Sequence, residues 1–249
     1  MPQSIIKQVA ESTDAPLQCQ ISYNMFGGFC VPKSSFHRPA AKAVMSGKVW
    51  EPDTIEFIIN HCRDGDIVHA GTFFGDFLPA LSKGAAPGAK VWAFEPNRES
   101  FRCAKITNEI NDLRNISLAN CGLGAKSEQR YLQTADKEGR ALGGASWIAD
   151  EGRPERLNGE HVQMVTIDDT IGKDRNVSII QLDVEGHEEE ALSGALETIR
   201  RCLPILIIEV IPKSRFLQSN WFAENIRILG YQRFEKVHSN YVFACDTTA

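Results

Sequence analysis

Ile67-Val68-His69-Ala70-Gly71-Thr72-Phe73-Phe74-Gly75 is the stretch on which the reading of the fold turns. Its first five residues read as a short buried strand, led by β-branched side chains and closed by a glycine. Gly71 and Gly75 lack a Cβ, so the chain can turn sharply there and approach a ligand closely. A helix is predicted over residues 75–83, because Pro79 is tolerated only in a first turn and Gly84 supplies a stop. Strand, glycine turn and helix in that order open a βαβ crossover.

Downstream the alternation repeats. Residues 90–95 read as a second strand that Pro96 ends, having no N–H to donate. Phe101, Ala104, Ile106 and Ile110 give a helical face, and residues 116–120 a third strand. Residues 177–184 form a nearly continuous apolar run suited to burial on both faces, followed by the helical stripe Ala191, Leu192, Ala195 and Ile199. Pro204 precedes a fifth strand over 205–210, and Trp221, Phe222, Ile226 and Leu229 support another helix. Residues 231–237 and 241–245, around Ser239-Asn240, read as a hairpin. The expected architecture is a doubly wound, Rossmann-like α/β domain: a mostly parallel seven-stranded sheet with a C-terminal antiparallel hairpin.

Upstream, residues 1–62 contain Met25-Phe26-Gly27-Gly28 and Trp50-Glu51-Pro52 and are predicted to be a helical and irregular N-terminal cap on a main domain spanning 63–249. Residues 125–176 read as an insertion between the third and fourth strands. They carry Gly143-Gly144-Ala145-Ser146-Trp147 and a further strand over 162–167, and their place favours shaping of a substrate.

Composition narrows the function. With 43% hydrophobic and 24% charged residues, the 249-residue chain is an ordinary globular protein. A net charge of -5 lacks the basic footprint a nucleic-acid binder uses against phosphates. The seven cysteines show no C-x-x-C pair and are odd in number, which points away from a zinc cluster or disulfide framework and toward a reducing cytoplasm. No secretory signal and no apolar run of roughly 20 residues is present, so membrane insertion is not expected. Oligomeric state stays open, a homodimer included.

In an open parallel sheet, ligands bind beyond the carboxyl ends of the strands, where strand order reverses. The Gly71–Gly75 turn falls there and suits an anionic carboxylate near a helix start. Glu95 ends the second strand at roughly the 20-residue offset of an acid that accepts ribose hydroxyl protons. The complete G-x-G-x-x-G pyrophosphate fingerprint is absent. That favours S-adenosylmethionine, which has no pyrophosphate, over the competing reading of a nicotinamide-dependent oxidoreductase. Asn120-Cys121-Gly122-Leu123 is open to two readings, an adenine edge or a turn.

Taken together, the segments Trp50-Glu51-Pro52, His69 to Phe77, Ala93-Phe94-Glu95-Pro96-Asn97, Thr166-Ile167-Asp168-Asp169, Gln181 to Glu188 and Ile207-Ile208-Glu209-Val210 resemble the FkbM-type methyltransferase family. The succession is more specific than any one member. It implies a class I S-adenosylmethionine-dependent methyltransferase fold and O-methylation, often of a sugar, glycan or polyketide-like small molecule in biosynthesis. It also implies cofactor contacts from Gly71, Thr72, Phe74, Gly75 and Asp76, from Glu95, Pro96 and Asn97, and from Cys121, Gly122 and Asp183. Glu51 is implied at the cofactor's amino group. His69 is a further cofactor-contact candidate, standing where many members carry an aspartate near the cofactor's amino group; its imidazole can still make a polar contact, and the departure motivates a third reading, a non-catalytic cofactor-binding protein.

For methyl transfer to oxygen, a protein must align the nucleophile and manage its proton. Asp183, ending a buried strand, is the candidate base, since a carboxylate there is costly without a partner or task. His187 follows as a second catalytic candidate, as base or as an orienting group. Glu185, Glu188 and Glu209 add oxygens nearby, but no ligand spacing dedicated to a metal is readable and none is expected. Glu188 is accounted for by the helix dipole. Asp168-Asp169 read equally as reaching the active site or as a cap on the segment beginning at Thr170, and stay outside the catalytic set. Trp50 and Trp147 are either pocket walls or packing, and His37, His61, His161 and His238 are read as surface or packing residues.

Overall fold

The computed structural model describes residues 16–149 and 158–245. The chain opens with a hairpin, β1 (Cys19–Asn24) and β2 (Gly27–Pro32), followed by helices α1 (Pro39–Met45) and α2 (Pro52–His61). Then come β3 (Asp66–Ala70), α3 (Leu78–Gly84), β4 (Val91–Phe94), α4 (Arg98–Ile110) and β5 (Ile116–Ala119). A small sheet follows, made of β6 (Gly122–Leu123), β7 (Glu128–Gln133), β8 (Trp147–Ile148) and β9 (Gly159–Val165). The remainder is α5 (Ile167–Thr170), β10 (Val177–Leu182), α6 (Glu188–Ser193), α7 (Leu196–Cys202), β11 (Ile205–Ile208), α8 (Asn220–Asn225), β12 (Gln232–Val237) and β13 (Asn240–Ala244).

The main sheet has seven strands in the order β12-β13-β11-β10-β3-β4-β5. β11, β10, β3, β4 and β5 run parallel, while β13 pairs antiparallel with both β11 and β12. The chain winds outward from β3 through β4 to β5, then returns to start again at β10 beside β3. The crevice at the carboxyl ends of β3 and β10 is therefore the topological switch point.

Both faces of the sheet are covered, which is why its central strands are mostly apolar rather than alternating. Ile179, Ile205 and Ile207 pack with Ile55 and Ile58 of α2 on one face. Ile180, Leu206 and Ile208 pack with Leu192, Ile199 and Phe222 on the other. No helix among the described residues is long and apolar enough to cross a membrane.

Several elements differ from the sequence reading. The N-terminal segment carries a β-hairpin, not only helices and irregular chain, and that hairpin is pinned to α4: Gly28 N–H donates to Asn111 Oδ1 (3.0 Å) and Cys30 N–H to Thr107 Oγ1 (3.0 Å). Its first 15 residues, like 150–157 of the insertion, lie outside the described residues. The stripe from Ala191 to Ile199 is two helices, because the chain breaks at Gly194, where a Cβ would lie 2.1 Å from the Gly124 carbonyl oxygen. Asp168 caps the second of them, accepting from Glu197 N–H (2.9 Å) and Thr198 N–H (2.8 Å). The helix after Gly75 begins only at Leu78, and the one around Trp221 closes as a 3₁₀ turn over Arg227–Leu229. The inserted strand is Gly159–Val165, ended by Thr166, which caps α5.

At the opposite, amino end of the sheet, buried Asp66 ties three segments together. Its carboxylate accepts from Lys90 N–H (2.8 Å), Trp92 Nε1–H (2.8 Å) and Arg175 Nε–H (2.8 Å), with a second contact to Arg175 Nη2. Burial alone would raise this carboxyl, but Arg175, Trp92 and Lys90 outweigh it and hold it below its ordinary value. Replacing Arg175 by alanine strands a buried charge and is expected to lower unfolding free energy by about 3 kcal/mol in urea titrations. Because the folded carboxyl is depressed, wild-type stability from this cluster is present above about pH 4 and is lost as pH falls through the folded value.

Candidate functional site

The site is built on one close approach. Asp183 N–H donates to the Ala70 carbonyl (3.0 Å), extending the β3–β10 ladder one step past the strand ends. Gly71 follows at φ +85°, and a Cβ there would sit 2.0 Å from the Asp183 carbonyl oxygen. Only glycine brings the β3 turn and the Asp183 segment together in this way. On the other side, Glu209 N–H donates to the Leu182 carbonyl (2.9 Å), placing a second acid beside the first.

Glu95 organises the next loop. Its Oε2 accepts from Phe73 N–H (2.6 Å) and its Oε1 from Asn97 N–H (2.8 Å). The carboxylate thus staples the β3 and β4 loops, with Phe73 in the left-handed region at φ 51°. Each oxygen keeps a further lone pair for a ligand. Burial pushes this carboxyl up to about 8 against the pull of the two N–H groups.

Two hollows meet at Gly71, Gly144 and Asp183. One is a narrow slot between Phe94-Glu95-Pro96 and Cys121-Gly122-Leu123, closed by Leu132, Ile148 and Met164 from the small sheet and by His187. The other is a cavity of about 230 Å³ bordered by Arg38, Trp50, Glu51, His69, Asp76, Gln181, Glu185, Glu209 and His238. The slot is largely apolar, and the cavity is acidic.

Five carboxyl groups border that cavity: Glu51, Asp76, Asp183, Glu185 and Glu209. Burial, then the charges of Glu209, Glu185, Glu51 and Asp76, push Asp183 well above the carboxylate range. Burial raises Asp76 to about 7 and also raises Glu51 and Glu185. Glu51 sits in the left-handed region (φ 45°) ahead of Pro52, its carboxylate held by Thr54 Oγ1 (2.9 Å) and Asn240 Nδ2 (3.1 Å). His238 Nε2 lies 3.6 Å from the same carboxylate, with its ring edge-on to Trp50.

His69 is buried, with its ring stacked on Phe77 and its Nδ1 2.5 Å from Gln181 Oε1. Burial lowers it to about 4, so the ring is neutral at physiological pH. Nδ1–H donates to the amide oxygen and Nε2 is left as a bare acceptor, without a partner among the described residues.

Of the residues singled out from sequence, Gly71, Glu95, Pro96, Cys121, Gly122, Asp183 and His187 border the slot, and Glu51, His69, Gly71, Asp76 and Asp183 border the cavity. Thr72, Phe74, Gly75 and Asn97 border neither. Thr72 bonds the His69 carbonyl, Phe74 is buried against the N-terminal hairpin, Gly75 packs on α4, and Asn97 caps α4 through Ser100 N–H (2.9 Å). His187 stands on the slot side, 3.6 Å from Glu190, and not in the acidic cavity. The sequence reading did not assign Arg38, Gln181 or His238 to the site. For His238 the signal was its place in the Ser239-Asn240 turn beside the carboxyl edge of the sheet. Among the described residues no three His, Cys, Asp or Glu side chains converge as metal ligands.

Gly71→Ala is expected to destabilise by well over about 1 kcal/mol, combining positive-φ strain with a backbone clash. Gly88, at φ +86° with nothing within 4 Å of the place a Cβ would take, is the control. Its alanine variant should show the strain alone, so equal losses of thermal stability in the two variants would contradict the close-approach account.

Comparison with known proteins accords with this geometry. The Methyltransferase FkbM domain matches residues 68–235. A methyltransferase FkbM structure from Methylobacillus flagellatus aligns at 21% identity and TM-score 0.50, over 73% of this chain and 43% of that one. The chain thus spans less than half the length of that relative. Weaker likenesses include a SAM-dependent methyltransferase from Aquifex aeolicus, with 17% identity, TM-score 0.41 and coverage of 83% of this chain and 92% of that one. Another is a tRNA (uracil-54, C5)-methyltransferase from Pyrococcus abyssi in complex with S-adenosyl-L-homocysteine, with 13% identity, TM-score 0.42 and coverage of 87% and 41%. No curated protein sequence matches. The domain match covers well over half of the chain, and the chain belongs to the FkbM family of S-adenosylmethionine-dependent methyltransferases.

Proposed function

We propose that this protein transfers a methyl group from S-adenosylmethionine to a hydroxyl oxygen of a sugar, glycan or polyketide-like small molecule. The observation that carries the reading is the junction of the apolar slot with the acidic cavity at Gly71 and Asp183. We assign a nucleoside to the first and a positively charged, donor-rich group to the second. The residues present suit the cofactor: Glu95 keeps lone pairs for two ribose hydroxyls, Pro96, Cys121 and Gly122 border the slot beside it, and His69 Nε2 meets no donor among the described residues.

When bound, the cofactor supplies an electrophilic methyl group on sulfur. The protein's work is then to align the acceptor oxygen and take its proton. Asp183 borders both hollows and is the group for that task. Burial, then four neighbouring acids, raise its carboxyl, so its ionised form is a strong base where the hydroxyl must lose its proton. Trp50 and His238 pack edge to face on the border of the cavity, and we assign them to contact with the acceptor.

Calorimetry with S-adenosylmethionine tests the cofactor half. Binding is expected in wild type and lost in Glu95→Ala. Asp76 and Glu95 titrate upward at about 7 and about 8, and the cationic cofactor favours their ionised forms. Affinity should therefore rise as pH climbs through that range, with net proton release visible as buffer-dependent enthalpy. Absence of binding by folded protein would reject the reading. For the chemical half, acceptor libraries incubated with isotopically labelled cofactor are read by mass spectrometry; Asp183→Asn should keep cofactor affinity and lose about 100-fold or more of turnover.

A further inference from the structure

We infer that the methyl acceptor is a sugar acid, a polyhydroxylated compound whose carboxylate is bound by the Arg38 guanidinium on the border of the acidic cavity. This rests on the methyl-transfer reading above and narrows its substrate class.

Arg38 comes from the N-terminal segment, at the start of α1, and is half-buried. Among the described residues it is the one arginine or lysine on the border of the cavity. Five carboxyl groups share that border, and yet the guanidinium makes no hydrogen bond or ion pair among the described residues; its charge is felt at Glu185 only at longer range. Glu51 is already engaged, by Thr54, Asn240 and His238. A guanidinium has five donors and no acceptor, so its complement is an anion, best a carboxylate held by two parallel bonds. The described part of the fold leaves that partner to arrive with a ligand.

The ligand in question is the acceptor. The cofactor's own carboxylate is assigned above to the Gly71–Gly75 turn, whereas Arg38 shares its border with Trp50 and His238, the pair assigned to acceptor contact. Arg38 and His238 also lie outside residues 68–235, so the family pattern does not determine this wall. Its other groups suit a polyhydroxylated body: Trp50 offers an aromatic surface, and Glu185 and Glu209 offer carboxyl oxygens to hydroxyl groups. Glu185 (φ 51°) and His238 (φ 53°) both hold left-handed backbone, a strained shape that non-glycine residues keep where the surroundings enforce it. A single negative charge suits a cavity bordered by five carboxyl groups better than the two charges of a phosphate monoester, and a neutral sugar leaves Arg38 unpaired. Asp183 borders the same cavity, so an acceptor anchored at Arg38 keeps its hydroxyls in the hollow where the proton is taken.

Matched sugars isolate this contact. Glucuronate and galacturonate, each beside its methyl ester, and glucose 6-phosphate beside glucose are incubated with isotopically labelled S-adenosylmethionine and either wild type or Arg38→Gln. Methylated products are quantified by mass spectrometry, and S-adenosylhomocysteine affinity is measured by calorimetry on both proteins. Wild type is expected to methylate the free acids about tenfold or more faster than their esters, the worth of one charge-assisted bond, and to prefer them to glucose 6-phosphate. In Arg38→Gln the acid-to-ester ratio should fall to near one while S-adenosylhomocysteine affinity holds. Equal methylation of acid and ester by wild type, a preference for the phosphate, or an acid preference that survives in Arg38→Gln would overturn the inference and leave the methyl-transfer reading intact. Weakened S-adenosylhomocysteine binding in Arg38→Gln would do the same, because it places the guanidinium on the cofactor. Failure of wild type to bind S-adenosylhomocysteine removes both readings, and binding without any methylated sugar removes the inference alone.

Discussion

Everything at the site depends on the contact between Gly71 and the main chain of Asp183. Two neighbouring parallel strands normally diverge into their separate loops once the ladder ends. Here the ladder runs on through the bond from Asp183 N–H to Ala70, and the absent Cβ of Gly71 lets the two loops lie against each other. The consequence is one continuous depression instead of two isolated ones, with the apolar slot on the β4 side, the acidic cavity on the β11 side, and Asp183 at their boundary. Glu95 reinforces the arrangement from the next strand by accepting one N–H from each loop.

The electrostatics of the cavity work against the fold in the absence of a ligand. Folding draws protons onto Asp76, Asp183, Glu51 and Glu185, so keeping them ionised near neutral pH is unfavourable. The neutral His69 at the end of β3 moderates this. An additional carboxylate at that position would stand in a cluster that already holds five, whereas an imidazole offers a lone pair without a charge. A histidine at this place thus fits the local charge balance. Stability is supplied at the other end of the sheet, where Asp66 has the opposite environment, an arginine and two N–H donors around a single carboxylate.

Much of this was legible in the linear chain because it is local. Strand, glycine turn and strand-end acid declare themselves within a few residues, and Gly71, Glu95 and Asp183 were each recognised from that context. What stayed hidden depends on contacts distant in sequence. The β1–β2 hairpin is defined by Asn111 and Thr107 of α4, and its own residues carry only weak alternation. Gly194 breaks a helix because Gly124 lies beneath it. Cysteines that look scattered come together, with Cys30 and Cys103 buried in one cluster and Cys19 packed against it. Arg38 and His238 belong to the cavity only because the N-terminal segment and the terminal hairpin both fold over the carboxyl edge of the sheet. Conversely, the family pattern reached Thr72, Phe74 and Gly75 as part of a loop whose shape matters, although those side chains serve the loop and border neither hollow.

The central claim is that one hollow at the β3–β10 switch point receives an adenosyl group with its sulfur at the Gly71–Asp183 junction. A crystal structure of the protein grown with S-adenosylhomocysteine tests it directly. The account requires the purine between Pro96 and Cys121-Gly122, the ribose hydroxyls on Glu95, and the sulfur beside Asp183 with its amino-acid arm in the acidic cavity. Density for the nucleoside at any other place on the protein, or a sulfur remote from Asp183, would contradict it.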